Sequence, residues 1–282
     1  MSPFSATAGS ATESSVRMPA EKYSIVRTYR NPSVHEVILD ALFESEISEN
    51  VFLDLPKKLE ASLGKAKPIE LQNFGLLAAP GFGPEIQIAR ILSGWQFEEG
   101  DTPKWLVRLQ KNRITLNMAR SMEWPRGEYV GWDSIFQRFH GISKLLDSSF
   151  SEQKVRRAGL RYINRFSIPA GNDVSDWSTI SIGGPPRLKR AIGFHFRGTW
   201  TEIAGHPKLS ATINLAQEDA RSRAAGDDRV PFLLDIDVFN LLPADAPDFS
   251  RFADWYLLAH QAENRVFEDC ITDKLRELFD KE

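Results

Sequence analysis

The eleven residues Ala158-Gly159-Leu160-Arg161-Tyr162-Ile163-Asn164-Arg165-Phe166-Ser167-Ile168 decide the fold. Ala158, Leu160, Tyr162, Asn164, Phe166 and Ile168 point one way. Arg157, Arg161, Ile163, Arg165 and Ser167 point the other. A period of two with one apolar and one charged face is the pattern of a strand whose sheet is covered on one side. Pro169-Ala170-Gly171-Asn172-Asp173 ends it with turn chemistry.

The same reading extends towards the C-terminus. Ile192, Phe194 and Phe196 oppose His195 and Arg197. Leu209, Ala211, Ile213 and Leu215 form another apolar face. Residues 217–229 are polar and charged and read as an exposed hairpin loop. Phe232, Leu234, Ile236 and Val238 then alternate with Leu233, Asp235, Asp237 and Phe239 in a last strand. From residue 249 to 279 the period becomes helical. Asp248 is placed as N-cap, and Phe252, Trp255, Tyr256, Ala259, Val266, Phe267, Cys270 and Leu278 lie on the core face.

The first half repeats this order. In residues 34–45, polar side chains recur at Glu36, Asp40 and Glu44, and the apolar ones fit both a helical and a strand period. Residues 54–64 read as a short helix, with Asp54 as N-cap, Pro56 in the first turn and Gly64 as stop. Residues 76–83 read as a loop and residues 86–92 as a strand. Residues 105–110 and 113–118 form a hairpin about Lys111-Asn112, where Asn tolerates a positive φ. Ile135, Phe136, Phe139, Ile142 and Leu146 place one helical stripe in residues 132–146. Antiparallel strands with few helices exclude a doubly wound parallel sheet. The expected fold is α+β: a mainly antiparallel curved sheet in pseudo-repeated halves, about 31–150 and 151–282, each closed by a helix packed on the sheet. Residues 1–20, rich in Ser, Ala and Thr, are expected to form a disordered tail. Residues 21–282 are expected to form a single domain, with no linker separating the halves.

The chain has 282 residues, 42 % of them hydrophobic and 26 % charged, an ordinary globular balance. A net charge of −3 removes any global basic excess that would favour nucleic acid or an anionic membrane. The lone cysteine, Cys270, permits no intrachain disulfide and suits a reducing cytoplasm. It reads as a small buried apolar residue. The N-terminus has no basic leader followed by an apolar stretch, so no secretory signal is read there, and no run is apolar enough to span a membrane.

Three constellations have chemical potential. Asp235 and Asp237, at i and i+2, share a sheet face, where two carboxylates can hold a divalent cation or act as an acid–base pair. Against this stands their pairing with Arg161 and Arg165 across the sheet, a common arrangement of charges on a solvated face. Those arginines with Arg157 can also form a narrow anion-binding stripe, a weak pointer to nucleic acid. His260 and Glu263 share a helical face, as half of a metal site that His195 could complete, or as packing residues. Asn164 lies on the apolar face of its strand, where its amide needs partners: a neighbouring strand, the long helix or a ligand. There is no Gly-x-Ser-x-Gly, and Gly81-Phe82-Gly83 and Gly183-Gly184 lack the strand-to-helix context of a phosphate loop.

Several segments together carry a resemblance: Asn31-Pro32 with residues 34–43, Arg113-Ile114-Thr115-Leu116-Asn117, Leu160-Arg161-Tyr162-Ile163-Asn164-Arg165, Leu234-Asp235-Ile236-Asp237-Val238, and His260 followed by Phe267 and Ile271-Thr272-Asp273. In this order the chain resembles a sporadically distributed bacterial family of about this length with no established function. Met118 stands where that family carries tryptophan. The resemblance favours a strand for residues 34–43. It implies no catalytic residue and no cofactor, and its patchy distribution suggests a defence or toxin-control setting. The expectation is therefore a cytoplasmic, non-enzymatic binding module for a protein or small ligand, with Arg161, Asn164, Arg165, Asp235, Asp237 and His260 as candidate binding residues. The alternatives are a metal-dependent hydrolase or nuclease using Asp235 and Asp237, and nucleic-acid binding by the arginine-bearing face.

Overall fold

The computed structural model describes residues 27–77, 85–100, 104–120, 129–150, 153–180, 195–203, 205–218, 228–240 and 252–281. The decisive stretch is the strand β6 (Val155–Pro169), beside the central strand of a nine-stranded antiparallel sheet. Its neighbours are β1 (Val34–Phe43) and β9 (Arg229–Asn240). From β1 the sheet continues through β5 (Arg113–Ala119), β4 (Lys104–Gln110) and β3 (Glu85–Glu99) to the edge strand β2 (Lys67–Leu77). From β9 it continues through β8 (Leu209–Gln217) to the other edge, β7 (His195–Trp200).

This order has a pseudo-twofold at the β1–β6 seam. In each half a first strand pairs with the last strand of a meander, four-stranded in the first half and three-stranded in the second: β1 with β5, and β6 with β9. A helix follows each meander: α2 (Trp132–Phe150) in the first half and α3 (Phe252–Cys270) in the second. The segment 34–43 is thus a strand, and polar residues at 36 and 40 share one strand face as readily as one helical face.

Register makes the two faces of the sheet different. Leu39 pairs with Leu116 and Leu160, and Leu160 with Val238, a row with no exposure at any of the four residues. All the helices contact this side. Phe150 of α2 stacks on Phe43 at 4.9 Å, and Phe139 meets Tyr256 of α3 at 4.8 Å. The Tyr256 hydroxyl donates to the Asp40 backbone carbonyl at 2.6 Å, which ties the second-half helix to the first-half strand. Phe52 of α1 (Glu49–Leu63) lies 6.1 Å from Trp95, and Phe279 of α4 (Asp273–Lys281) lies 6.3 Å from Phe166.

Four local expectations are corrected. The first helix begins at Glu49 with Ser48 as N-cap, its side chain accepting from the Val51 amide, and Asp54 lies mid-helix. Pro56 is therefore interior, where it removes the N–H that would bond the Phe52 carbonyl. Trp95 Nε1 supplies the missing donor to that carbonyl at 3.1 Å. The edge strand β2 was not anticipated, and Leu76 and Leu77 belong to it. No non-glycine residue among those described has a positive φ, so the 111–112 turn does not use one. Its carbonyls instead accept from the Ile47 and Phe43 amides. The C-terminal helical segment is two helices. Between them Ile271 bridges to Ser178, and the Thr272 amide donates to the Trp177 carbonyl.

The first 20 residues, the remainder of the 76–83 loop, Ile192, Phe194, most of the 217–229 loop and the Asp248 cap lie outside the described residues. Among the described residues no helix is long and apolar enough to cross a membrane.

Candidate functional site

The face of the sheet that no described helix contacts carries the polar alternate residues of the central strands. β6 supplies Arg157, Arg161 and Arg165; β9 supplies Asp235 and Asp237; β1 supplies Asp40; and β5 supplies Arg113, Thr115 and Asn117. All of these but Arg165 and Asp235, together with Arg108 of β4, line a concavity of about 530 Å³ with Ile38, Leu42 and Ile69 as its apolar portion.

Strand register fixes the pairing. Arg161 stands opposite Asp237, and Ile163 opposite Asp235. Arg161 nevertheless reaches diagonally to Asp235, with Nε to Oδ1 at 2.6 Å and Nη2 to Oδ2 at 2.8 Å. This fork-to-carboxylate geometry is the strongest that the two groups can form. Asn214 adds a donor to Oδ2 at 2.9 Å. The Asp235 bond holds the Arg161 guanidinium above its ordinary pKa.

Arg157 joins the two halves. Its Nη1 donates to Asp40 Oδ2 at 3.0 Å and its Nη2 to Asp237 Oδ2 at 2.7 Å. To do so the guanidinium folds across Gly159, where an added Cβ would stand 2.5 Å from Nη1. The guanidinium carbon also lies 4.9 Å from the Phe239 ring centre. Asp40 accepts further from Arg113 Nε at 2.5 Å and Thr115 Oγ1 at 3.2 Å. Burial raises the Asp237 carboxyl pKa, with Arg157 and Arg161 acting in opposition.

The sequence-level alternative of cross-sheet ion pairs thus describes Asp235 with Arg161. Asp237 pairs with Arg157 rather than Arg165, and Arg165 pairs with Glu218 at 2.6 Å. Each guanidinium of the expected stripe already holds a carboxylate.

His260 is on the opposite face. It stacks on Trp132 at 4.2 Å and 13°, its Nδ1 lies 3.1 Å from the Tyr162 hydroxyl, and its Nε2 lies 3.1 Å from Asn264 Nδ2. Burial lowers its pKa to about 4 and raises that of Glu263 to about 8. The sheet itself separates His260 from Asp235 and Asp237, so these three do not converge. His195 lies exposed on the edge strand β7. Among the described residues no three His, Cys, Asp or Glu side chains cluster as a metal site. Asn164 also faces the core, where its Oδ1 accepts from Ser33 at 3.1 Å and its Nδ2 has no partner among the described residues. It ties the segment before β1 to β6. Cys270 is buried, and burial raises its thiol pKa to about 12.

Sequence reasoning missed Asp40, Arg113 and Arg108 as members of the site. The open question of helix or strand at 34–45 hid Asp40, because only as a strand residue does it face Arg157. Gly159 was a readable signal: a glycine amid long side chains marks a close approach.

Compared with known proteins, the chain matches no family model and no curated protein.

Proposed function

We propose that this protein is a non-enzymatic binding module whose ligand seats in the concavity on the sheet face that no described helix contacts. One observation carries the reading: a concavity of about 530 Å³ joins apolar side chains to charged groups already fixed in a hydrogen-bonded network. Fixed polar groups around an apolar portion are what a small-molecule site requires. A protein interface would need a broader surface. The carboxylates are engaged by guanidinium groups, which favours recognition over acid–base or metal chemistry. A single buried cysteine suits a reducing compartment, and the cytoplasm is part of this proposal.

The test is a small-molecule library read by thermal shift on the wild type and Ile38→Trp, whose larger side chain intrudes on the concavity. Compounds that stabilise the wild type and not the variant support the reading. Identical responses of the two proteins across the library would refute it.

A further inference from the structure

Hydrogen-bonding capacity around the concavity is lopsided. The described lining has four arginines, Arg108, Arg113, Arg157 and Arg161, against two aspartates, Asp40 and Asp237. Both carboxylates are paired with guanidinium groups, while Asp237 Oδ1 and the buried Asn117 Oδ1 accept no hydrogen bond among the described residues. Asp40 Oδ1 takes Arg113 and Thr115, its Oδ2 takes Arg157, and Asp237 Oδ2 takes Arg157. The donors are not exhausted. Arg113 spends Nε on Asp40, and Arg108 spends Nε on Gln96 Oε1 at 2.8 Å. Each guanidinium has five N–H donors in a planar fork, so the Nη edges of both remain to be matched. Arg108 forms no carboxylate pair among the described residues, and its side chain is exposed.

The two arginines stand on adjoining strands of one hairpin, since Arg108 pairs with Thr115 and Gln110 with Arg113. Ile38, Leu42 and Ile69 line the same hollow. A cation would meet four positive charges and carboxylates already paired with guanidinium groups. A neutral apolar body would leave the guanidinium edges unmatched once water was displaced.

Resting on the binding-site reading above, we propose that the ligand is a small acid, a carboxylate or phosphate monoester on an apolar body, with its anionic group on Arg108 and Arg113. The apolar body lies over Ile38, Leu42 and Ile69. A planar carboxylate matches one guanidinium edge, and a phosphate has enough oxygens to engage both.

The test titrates hexanoate, hexyl phosphate, hexanamide and hexylamine into the full chain and follows the methyl resonances of Ile38, Leu42 and Ile69. The expected result is saturable shifts with hexanoate or hexyl phosphate, with the tighter of the two naming the anion. Arg108→Gln is expected to weaken that binding about tenfold, the loss of one charge-assisted hydrogen bond. Shifts with hexylamine or hexanamide alone overturn the acid and leave the binding face standing. If no probe shifts these methyls, both the acid and the face are refuted. An Arg108→Gln affinity equal to wild type overturns the assignment of the anion to Arg108.

Discussion

At the residue scale, Asp235 and Arg161 form an unequal pair. The Asp235 side chain is 4 % exposed and that of Arg161 is 43 % exposed. Removing Arg161 leaves a buried carboxylate with Asn214 as its remaining donor, whereas removing Asp235 leaves a guanidinium that can reach water. Arg161→Ala is therefore expected to cost about 3 kcal/mol and Asp235→Ala about 1–2 kcal/mol. Their double variant is expected to cost less than the sum, read by urea denaturation. Glu263 and His260 set a pH dependence on the other face. The unfolded chain releases the Glu263 proton near 4.5, while the folded chain holds it to about 8, so stability falls as pH rises through that window. For His260, whose folded pKa is about 4 against an ordinary 6.5, stability rises from pH 4 to 6.5. The two slopes oppose each other between 4.5 and 6.5, which leaves a net decline from 6.5 to 8. Glu263→Gln is expected to abolish that decline, seen as urea midpoints in wild type and variant at pH 6 and 8.5.

At the element scale, α1 survives an interior proline because a tryptophan from β3 satisfies the orphaned carbonyl. Trp95→Phe keeps the ring against Phe52 and deletes the donor. The expected loss is about 1–2 kcal/mol in the wild type. It should be smaller in Pro56→Ala, where the restored backbone N–H reaches the same carbonyl. A double-variant cycle on chemical denaturation checks this. The helix start was misread for the same reason: Pro56 looked like a first-turn residue, while Ser48 gave the earlier and true cap. The break between α3 and α4 had no local signal. Ile271-Thr272 contains neither Gly nor Pro, and the backbone leaves the helix there to bond Trp177 and Ser178.

At the scale of the whole molecule, the two halves share one sheet and one hydrophobic core. The β1–β6 seam runs through the fully buried Leu39 and Leu160, and Tyr256 crosses from the second-half helix to β1. Either half alone would expose a central strand edge and part of that core. Polypeptides 31–150 and 151–282 expressed separately are expected to lack a cooperative thermal transition, and to recover one on mixing. Circular dichroism melts of each piece and of the mixture check this.

Most strands, the α+β class and the covered face were determined by local sequence. A period of two with charges on one side already states which way each side chain points. The strand of residues 158–168 is the clearest instance, and Asp235 and Asp237 were readable as sheet-face neighbours. The tertiary structure alone decided which partners those charges take. Strand order brings β1 beside β6, so Asp40 rather than a nearer residue meets Arg157, over 117 positions of sequence. It also decided that His260 and Asp235 never meet, because a sheet lies between them. Alternation fixes a side chain's face within its own strand, but register and strand order, set by burial over the whole chain, fix what that face confronts.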